Sequence, residues 1–186
     1  KKQYKIEILL KPPALRYNEN ELKNLLIHYR GNLNSNITFL LISDFECDIC
    51  RRNHSIYERL YNKYKNKIRF GYTYYGSYVS NSAIACESAA NQGKFWEMYD
   101  KIYQLENIPD TSALFEIAKN LNINVTDFKK SFHNKKTYYK IEQNLHKINS
   151  IGIYATPTIL INNKLIFNPI SVYEIENEIV QLINNK

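Results

Sequence analysis

The sequence predicts an α/β fold that is interrupted by an all-helical insertion subdomain. Strand and helix patterns alternate up to residue 76, helical patterns alone follow to residue 150, and strand patterns then return. We therefore expect a core formed by residues 1–76 and 151–186, with residues 77–150 as the inserted helices. A chain of 186 residues has the length of one such domain and needs no disulfide bonds to hold its core.

The first part of the chain alternates strands with helices. Residues 36–43, NITFLLIS, form a nearly continuous apolar run, which is typical of a strand buried on both faces. Residues 18–30 repeat leucines at helical spacing, and Gly31 follows as a stop signal. The expected elements are strands at 5–10, 36–43 and 67–75 and helices at 18–30 and from about Cys47 to Lys65.

The remainder of the chain changes character twice. Between Ser80 and Ser150 only helical periodicity is found, and glycine, proline and asparagine joints separate the helices. Near the end, two short strands are joined by Asn162-Asn163, a pair that tolerates the positive φ angles of a tight hairpin. The expected elements are helices at 80–92, 94–105, 111–121, 125–132, 135–149 and 171–184 and strands at 156–162 and 164–167.

Cys47 and Cys50 occupy the point at which the buried strand passes into the next helix. A thiol at a helix N-terminus faces free backbone N–H groups and the positive end of the helix dipole, which stabilise a thiolate. Cys50 follows by nearly one turn, so it is close enough to form a disulfide with Cys47 and is more sheltered. The spacing and its context predict a redox couple in which Cys47 attacks and Cys50 resolves.

A second candidate feature is Thr156-Pro157 at the start of a strand. Pro157 has no N–H and cannot continue a sheet ladder normally. The simpler alternative is a trans proline on an edge strand, but beside a CxxC pair we favour a cis Thr156–Pro157 bond. A cis proline next to Cys47 would leave the backbone of Thr156 free to pair with an extended peptide.

Three motifs together resemble the DsbA-like thiol:disulfide oxidoreductases. They are SDFECDICRRNH at 43–54, ACESAANQGKFWEMYDKIY at 85–103 and ATPTILIN at 155–162, and they occur in the order typical of that family. The resemblance covers residues 36–186, while residues 1–35 match more loosely. It implies a thioredoxin-like fold interrupted by an all-helical insertion subdomain.

The resemblance also implies an activity, partners and a location. It implies exchange of disulfides with cysteines of exported proteins through Cys47 and Cys50, with Thr156 and Pro157 holding the substrate strand and no cofactor or metal required. The direction of electron flow stays open. A quinone-linked membrane protein is the implied redox partner, and the implied location is periplasmic or membrane-anchored on the outer side of the inner membrane. The chain, expected to be monomeric, lacks an initiator methionine, which is compatible with a removed signal peptide or with fusion to that partner.

Leu41 departs from the family pattern. The position six residues before the first cysteine is often a buried Glu or Asp that helps to move protons, and here that position is apolar. We do not expect Asp44 or Glu46 to replace the acid, because both are expected to be more exposed.

The dipeptide Asp48-Ile49 is a second departure, because strong oxidants of the family carry Pro-His between the cysteines. The Asp48 carboxylate disfavours a thiolate at Cys47. A less stabilised thiolate makes a weaker oxidant, so we expect the couple to be more reducing than the strongest DsbA-type oxidases. Arg51 and Arg52 act against Asp48 and could offset it.

Zinc binding is the main alternative for the cysteine pair. A structural zinc site needs four ligands, and the candidate set is Cys47, Cys50, His54 and Cys86. This spacing is poor, because His54 follows Cys50 by one helical turn and Cys86 is far along the chain. We therefore expect no metal site, and we expect Cys86 to be a buried, unreactive core thiol.

Other residues near the motifs are expected to be structural. His54 shares a helix face with Cys50, but a histidine in such a position more often takes no part in catalysis. Trp96 is expected to anchor the inserted helices to the core and not to line a peptide groove. Tyr72, Tyr74 and Tyr75 lie on a strand, one face of which we expect to reach the surface near the cysteines.

Other functional classes were weighed against the redox interpretation. A thioredoxin fold can serve as a peptide-binding or chaperone-like module with a structural, non-exchanging disulfide, and the missing acid at position 41 keeps that alternative open. An isomerase ranks third, because the chain has no spare segment for a dimerisation domain. The net charge of +7 is scattered over the sequence without a nucleic-acid motif, so nucleic acid is not expected as a partner. No apolar run approaches the roughly 20 residues of a membrane helix.

Overall fold

The structure, a computed structural model, describes residues 19–185, and the strand expected at 5–10 lies outside them. A mixed five-stranded sheet runs through the described residues in the order β1-β3-β2-β4-β5. The strands are β1 (His28–Gly31), β2 (Thr38–Ser43), β3 (Arg69–Tyr74), β4 (Thr158–Ile161) and β5 (Lys164–Leu165). Since β2 is parallel to β3 and antiparallel to β4, it is the central strand, as its apolar sequence predicts.

Helices cover both faces of this sheet. Five of the helices in the described residues, α3 to α7, follow one another in the chain between β3 and β4, where the sequence predicts only helices. The helices are α1 (Glu19–Lys23), α2 (Asp48–Tyr64), α3 (Asn81–Ala90), α4 (Phe95–Gln104), α5 (Thr111–Asn120), α6 (Val125–Phe132), α7 (Lys135–Ser150) and α8 (Val172–Asn184). None of the helices between residues 19 and 185 has the length and apolar character that crossing a bilayer requires.

The helix expected at 18–30 is wrong over its second half. Helix α1 ends at Lys23, and residues 28–31 form β1, which pairs antiparallel with β3 at the edge of the sheet. The backbone groups of these residues bond to a neighbouring strand, and this long-range pairing outweighs the local helical pattern. Gly31 ends β1 with a φ angle of 84°, so it is a turn residue, as expected, but it ends a strand.

Alternate residues of β2 face two different cores. Phe39 and Leu41 point into a large core shared with α2 and the inserted helices, whereas Leu40 and Ile42 point into a smaller core on the opposite sheet face. One continuous hydrophobic cluster therefore joins the sheet to the insertion. Cys86 lies inside that cluster with 1% of its surface exposed, so the expectation that it is buried is confirmed.

The expected exposed tyrosine face is wrong for Tyr72 and Tyr74 of β3, which do not reach the surface, while Tyr75, directly after β3, is half-buried. Tyr72 and Tyr74 are both buried, and Tyr72 pairs in register with Leu41 of the central strand. The inserted helix α4 covers this face of β3, because its own aromatic side chains pack against it, with the ring centroids of Tyr72 and Tyr99 4.7 Å apart.

Trp96 connects α4 to β1, which agrees with the anchoring role expected for it. Its indole Nε1 donates a hydrogen bond to the Tyr29 carbonyl at 3.1 Å. The guanidinium of Arg30 lies between the rings of Trp96 and Tyr61, 4.1 and 3.8 Å from their centroids. Residues of β1 thus hold an inserted helix and α2 together.

Glu87 makes a second link across the same region. This buried carboxylate of α3 lies 2.6 Å from His28 Nε2 of β1 and 2.9 Å from Lys140 Nζ of α7. Burial alone would raise the pKa of Glu87, but its contacts with His28 and Lys140 outweigh burial and lower that pKa.

The hairpin between β4 and β5 forms as its sequence predicts. Asn162 and Asn163 have φ angles of 45° and 69°, and two successive positive φ angles are what a tight two-residue hairpin turn requires. The second strand is shorter than the expected 164–167, because only Lys164 and Leu165 pair with β4.

Candidate active site

Cys47 lies at the junction of β2 and α2, where it is the N-cap residue of the helix. Its backbone is extended, with φ −76° and ψ 120°, and its sulfur accepts a hydrogen bond from the Cys50 N–H at 3.4 Å. This is the role that an oxygen side chain usually takes at an N-cap, and negative charge on the sulfur would strengthen the bond. The half-buried Cys47 sulfur is therefore partly accessible and already in contact with a free N–H group of the helix.

Cys50 differs from Cys47 in its exposure. It is 1% exposed, and burial raises the pKa of its thiol to about 11. Both cysteines are free thiols in this structure. The pair thus combines a partly accessible sulfur at a helix N-terminus with a sheltered sulfur one turn behind it.

Thr156 and Pro157 face the cysteine pair from the loop before β4. The Thr156–Pro157 peptide bond is cis, the isomer that the sequence favours, and Pro157 is buried. The Cys47 sulfur lies 3.7 Å from the Thr156 carbonyl oxygen. The structure therefore brings together two pairs of residues, Cys47 with Cys50 and Thr156 with Pro157, that are more than a hundred positions apart in the chain.

Asp48 and Ile49 form the exposed edge of the site. Ile49 is 46% exposed, and Asp48 lies in the first turn of α2. Arg52 Nε donates to the Asp48 carbonyl at 3.3 Å, so this contact goes to the backbone of Asp48. Asp48 is thus an exposed acid that directly follows Cys47 in the chain.

Arg51 holds the active-site loop against the insertion. Its guanidinium donates to the Phe45 carbonyl at 3.0 Å and to the Leu105 carbonyl at 2.6 Å, with Asn107 O at 3.3 Å. Residues 105–107 follow α4, so this side chain ties the start of α2 to the inserted helices. Its described hydrogen bonds go to carbonyl oxygens, which gives Arg51 a positioning role that its sequence position alone did not suggest.

Two buried hydroxyls lie behind Cys50, and sequence reasoning missed both. Ser43 ends β2 on the same face as Leu41. Burial raises the pKa of the Cys50 thiol, and the Asp44 backbone N–H, followed by the Ser43 hydroxyl, acts in the opposite direction. Ser43 Oγ lies 3.2 Å from the Tyr103 hydroxyl, which belongs to α4. The sequence offered one signal for Ser43: alternate side chains of a strand point to the same face, so Ser43 shares the face of Leu41 and lies nearer to the cysteines.

The acidic residues next to the cysteines are less exposed than expected. Asp44 and Glu46 are both half-buried. Burial raises the pKa of Asp44, although the Glu46 N–H, 3.0 Å from Asp44 Oδ1, acts in the opposite direction. Leu41, the position of the missing acid, is buried in the large core.

His54 faces the inserted helix α4. Its ring stacks on Tyr103 with centroids 4.0 Å apart, and its Nδ1 lies 3.4 Å from the Tyr99 hydroxyl. Burial lowers the pKa of His54 to about 3, and the charges of Arg30 and Arg51 act in the same direction. The imidazole is therefore neutral at physiological pH and acts as a packing residue.

A cluster of potential metal ligands differs from the set considered in the sequence. His54, Glu58 and Asp100 bring ligand-type atoms within 4.8 Å of one another. Arg30 forms ion pairs with both carboxylates, at 3.3 Å for Asp100. A guanidinium thus occupies the position from which a cation would neutralise these acids, so the chemistry of this cluster does not fit a metal centre.

Comparison with known sequences identifies the family. The family model described as Thioredoxin matches residues 24–181. The chain is 25% identical over 150 residues to the Na(+)/H(+) antiporter NhaA 3 of Salinispora tropica, covering 78% of this chain and 23% of that protein. It is 22% identical over 144 residues to the NhaA 1 antiporter of Mycolicibacterium gilvum, with coverages of 74% and 23%. The chain thus spans about a quarter of the length of the curated relatives that it matches.

Comparison with solved structures concerns the fold. The thiol-disulfide exchange protein α-DsbA2 of Wolbachia pipientis has a TM-score of 0.74 at 19% identity, covering 88% of this chain and 90% of that one. A thioredoxin-like oxidoreductase of Silicibacter pomeroyi gives 0.75 at 17%, with 89% and 98% covered. A periplasmic thioredoxin-like protein of Salmonella enterica serovar Typhimurium gives 0.71 at 14%, with 90% and 98% covered.

These matches confirm the expected thioredoxin-like fold with inserted helices, and the fold of the DsbA2 protein agrees with the resemblance of the three motifs. The family model covers most of the chain, including both cysteines and the Thr156-Pro157 pair. The protein belongs to the thioredoxin family.

Proposed function

We propose that the protein is a thiol:disulfide oxidoreductase whose redox couple is Cys47 and Cys50. The observation that carries the proposal is a helix N-cap sulfur, Cys47, that accepts the Cys50 N–H at 3.4 Å and lies 3.7 Å from the Thr156 carbonyl oxygen, with the buried Cys50 thiol in the first turn of the same helix. One sulfur is placed to react with a substrate, and the other is placed to close on it. Two of the similar structures are described as a thiol-disulfide exchange protein and an oxidoreductase, which supports this assignment.

The reaction passes through a mixed disulfide. For reduction, the Cys47 thiolate attacks a substrate disulfide, a Cys47–substrate bond forms, and one substrate sulfur leaves as a thiolate. Cys50 then attacks Cys47, which releases the second substrate sulfur and leaves a Cys47–Cys50 disulfide. Formation of the Cys47–Cys50 bond releases two electrons, and these reduce the substrate disulfide to two thiols. Oxidation is the same sequence in reverse, so the potential of the couple decides the direction.

The loop at Thr156 and Pro157 is the proposed substrate-binding element. An extended peptide can pair with the backbone of Thr156, which brings a substrate sulfur next to Cys47. The exposed Ile49 borders the same position and offers an apolar contact. The proposed substrates are therefore cysteine-containing proteins or peptides that present an extended segment.

The proposed location is extracytoplasmic, with exported proteins as substrates and a quinone-linked membrane protein as redox partner. The similar Salmonella structure is described as periplasmic, which supports this location. The curated relatives are named Na(+)/H(+) antiporters, which supports work beside a membrane. A monomer is sufficient for the proposed chemistry, because the described residues of one chain supply the whole site.

The couple is proposed to be a weaker oxidant than the strongest DsbA-type oxidases. The exposed acid Asp48 directly follows Cys47 in the chain, and the hydrogen bonds described for Arg51 and Arg52 go to backbone carbonyls. Asp48 therefore destabilises the Cys47 thiolate and with it the reduced form of the couple.

The test is the reduction potential of Cys47–Cys50, measured by equilibration in graded glutathione buffers, with Cys86→Ala as the control for thiols outside the site. We expect a potential well below about −120 mV, the value of a strong oxidase, and one near about −270 mV would indicate reductase work. A potential near −120 mV would refute the role given to Asp48. If the disulfide does not exchange, the enzyme proposal fails, and the buried apolar Leu41 then favours a peptide-binding module with a structural disulfide.

A further inference from the structure

The net positive charge of the described residues is concentrated in helices α6 and α7. Residues 125–150 contain six lysines against two acidic residues, a net charge of +4. Residues 19–124 contain twelve basic and twelve acidic residues, which cancel, and residues 151–185 contain one lysine against three glutamates. These two helices therefore carry an excess of positive charge that the rest of the described chain lacks.

The end of α6 and the start of α7 present three exposed lysines, which we name the lysine patch. The patch consists of Lys130, Lys135 and Lys136. Lys130 forms an ion pair with Asp127 at 3.6 Å, but both side chains are more than half exposed, so solvent screens this pair. Lys140, one turn farther along α7, is committed to the fold, because its Nζ lies 2.9 Å from the buried carboxylate of Glu87.

A concavity of about 400 Å³ lies where α6 meets α7. Lys130, Lys136 and Lys140 line it, and its other lining side chains are the amides and hydroxyls of Asn, Ser and Thr residues. None of the described residues that line it is acidic. Ammonium groups around one concavity attract anions, and lysine binds a phosphate as a point charge. The volume lies within the ordinary range of ligand sites.

Two exposed tyrosines accompany the patch. Tyr138 and Tyr139 are 40% and 51% exposed, and their rings lie edge to face with centroids 5.8 Å apart. Residues three and four apart on a helix are neighbours, so these rings stand beside Lys135 and Lys136 on α7. Tyrosines and lysines are typical of surfaces that contact a membrane, because the ring sits at headgroup level while the ammonium group meets the lipid phosphates.

We propose that the lysine patch and these two tyrosines bind the surface of a membrane that contains anionic phospholipid. The ammonium groups contact the lipid phosphates, and the rings enter the headgroup layer. Nucleic acid also offers phosphates, but we assign lipid because of the extracytoplasmic location, and in this respect the assignment rests on the proposed function.

The position of the patch leaves the active-site loop open to substrates. Helix α7 begins at the patch, spans about 24 Å over its 16 residues, and ends six positions before Thr156. A membrane bound at the start of α7 therefore contacts the end of the helix that is remote in the chain from Thr156. We expect the loss of membrane binding to leave disulfide exchange in solution unchanged.

Co-sedimentation with lipid vesicles tests the proposal. The protein is mixed with vesicles of phosphatidylcholine alone or of equal parts phosphatidylcholine and phosphatidylglycerol, and the bound fraction gives a partition coefficient. We expect binding to the anionic vesicles only, and a decrease as salt is added, because salt screens exposed charges. The triple variant Lys130→Gln/Lys135→Gln/Lys136→Gln should bind about 100-fold more weakly, since each lysine near an anionic surface contributes about fivefold.

A second variant tests the tyrosines. Tyr138→Ser/Tyr139→Ser should bind the anionic vesicles about tenfold more weakly, because less apolar surface enters the headgroup layer. Its salt dependence should equal that of the wild type, since no charge has changed. Tyr173→Ser is the control for this variant, because Tyr173 lies on α8 and is 78% exposed.

The control for the lysines removes the same charge elsewhere. Arg59, Lys65 and Lys67 are exposed and lie in α2 or just after its end. Arg59→Gln/Lys65→Gln/Lys67→Gln lowers the net charge as much as the patch variant and should bind within about twofold of the wild type. Every variant should exchange its active-site disulfide with glutathione at the wild-type rate.

The variants decide the outcome, because residues 1–18 contain five further basic residues. If the lysine variant binds anionic vesicles like the wild type, or if the charge control loses as much binding, the proposal is overturned. Unchanged binding by Tyr138→Ser/Tyr139→Ser overturns the part given to the tyrosines, and it overturns the whole proposal if the lysine variant does not fold. Equal or tighter binding to duplex DNA that is lost in the lysine variant overturns the choice of lipid.

Vesicle binding and disulfide exchange are measured independently. A wild-type protein that binds anionic vesicles through the patch but exchanges no disulfide with glutathione would refute the proposed function and leave the membrane contact standing. A protein that exchanges its disulfide but does not bind anionic vesicles would refute the membrane contact alone.

Discussion

Arg30 is expected to be a large single contributor to the stability of the junction between β1, α2 and α4. Its side chain is 13% exposed, lies between the rings of Tyr61 and Trp96, and pairs with the carboxylates of Glu58 and Asp100. The substitution Arg30→Met keeps most of the apolar stem and removes the cation. Both ring contacts and both ion pairs are then lost together.

The size of the loss follows from these contacts. Two partly desolvated cation–π contacts contribute about 1 kcal/mol each, and breaking a buried ion pair costs about 3–5 kcal/mol. Glu58 and Asp100 are 27% and 39% exposed, so solvent screens them and we take the lower end of that range or less. The buried Arg30 Nε has no hydrogen-bond partner among the described residues, so removing this group in the variant offsets about 1 kcal/mol of the loss. We expect Arg30→Met to lower the free energy of unfolding by about 3 kcal/mol.

Urea unfolding, followed by the fluorescence of Trp96, measures this change. With a slope of about 2 kcal/mol per molar urea, the midpoint should fall by about 1.5 M. Arg69→Met is the matched control, because Arg69 stacks on Tyr29 at 4.8 Å and bonds Thr38 but has no described ion pair, so its loss should stay near 1 kcal/mol. Equal losses in the two variants would refute the reasoning.

Three further predictions concern charge, redox tuning and the core thiol. Because the pKa of Glu87 is lowered in the folded state, its carboxylate stabilises the fold at pH values above its ordinary pKa of 4.5. This contribution is lost as the pH falls through the folded-state pKa. Glu87→Gln should therefore flatten the acid side of the profile of unfolding free energy against pH, measured by urea unfolding. Asp48→Asn should raise the reduction potential by about 10–30 mV, whereas Asp127→Asn, in the first turn of α6, should leave it unchanged. Cys86→Ala should lower the free energy of unfolding by about 1 kcal/mol without moving the potential.

The elements that the sequence predicts correctly are those with a strong local signal. The central strand β2 has an apolar run that only a doubly covered strand explains, and the inserted helices have clear periodicity and joints. The Asn162-Asn163 turn follows from the tolerance of asparagine for positive φ. The cysteine pair was placed at the start of α2 because a buried strand precedes it and a helical pattern follows it.

The elements that the sequence leaves open depend on contacts between distant residues. Residues 28–31 carry a helical pattern, yet they form β1 because β3 offers them backbone partners and the aromatic side chains of α2 and α4 hold Arg30. The exposure of Tyr72 was misjudged for the same reason, since only the packed insertion covers it.

The sequence by itself determined which residues carry sulfur chemistry, since thiols two positions apart at a helix start are a local property. The tertiary structure alone decided what surrounds the second sulfur. Ser43 and Tyr103 are sixty positions apart, and their hydroxyls lie 3.2 Å from each other because the central strand and an inserted helix share one core. Burial and hydrogen bonding set the reactivity of a thiol, and both are properties of the packed molecule.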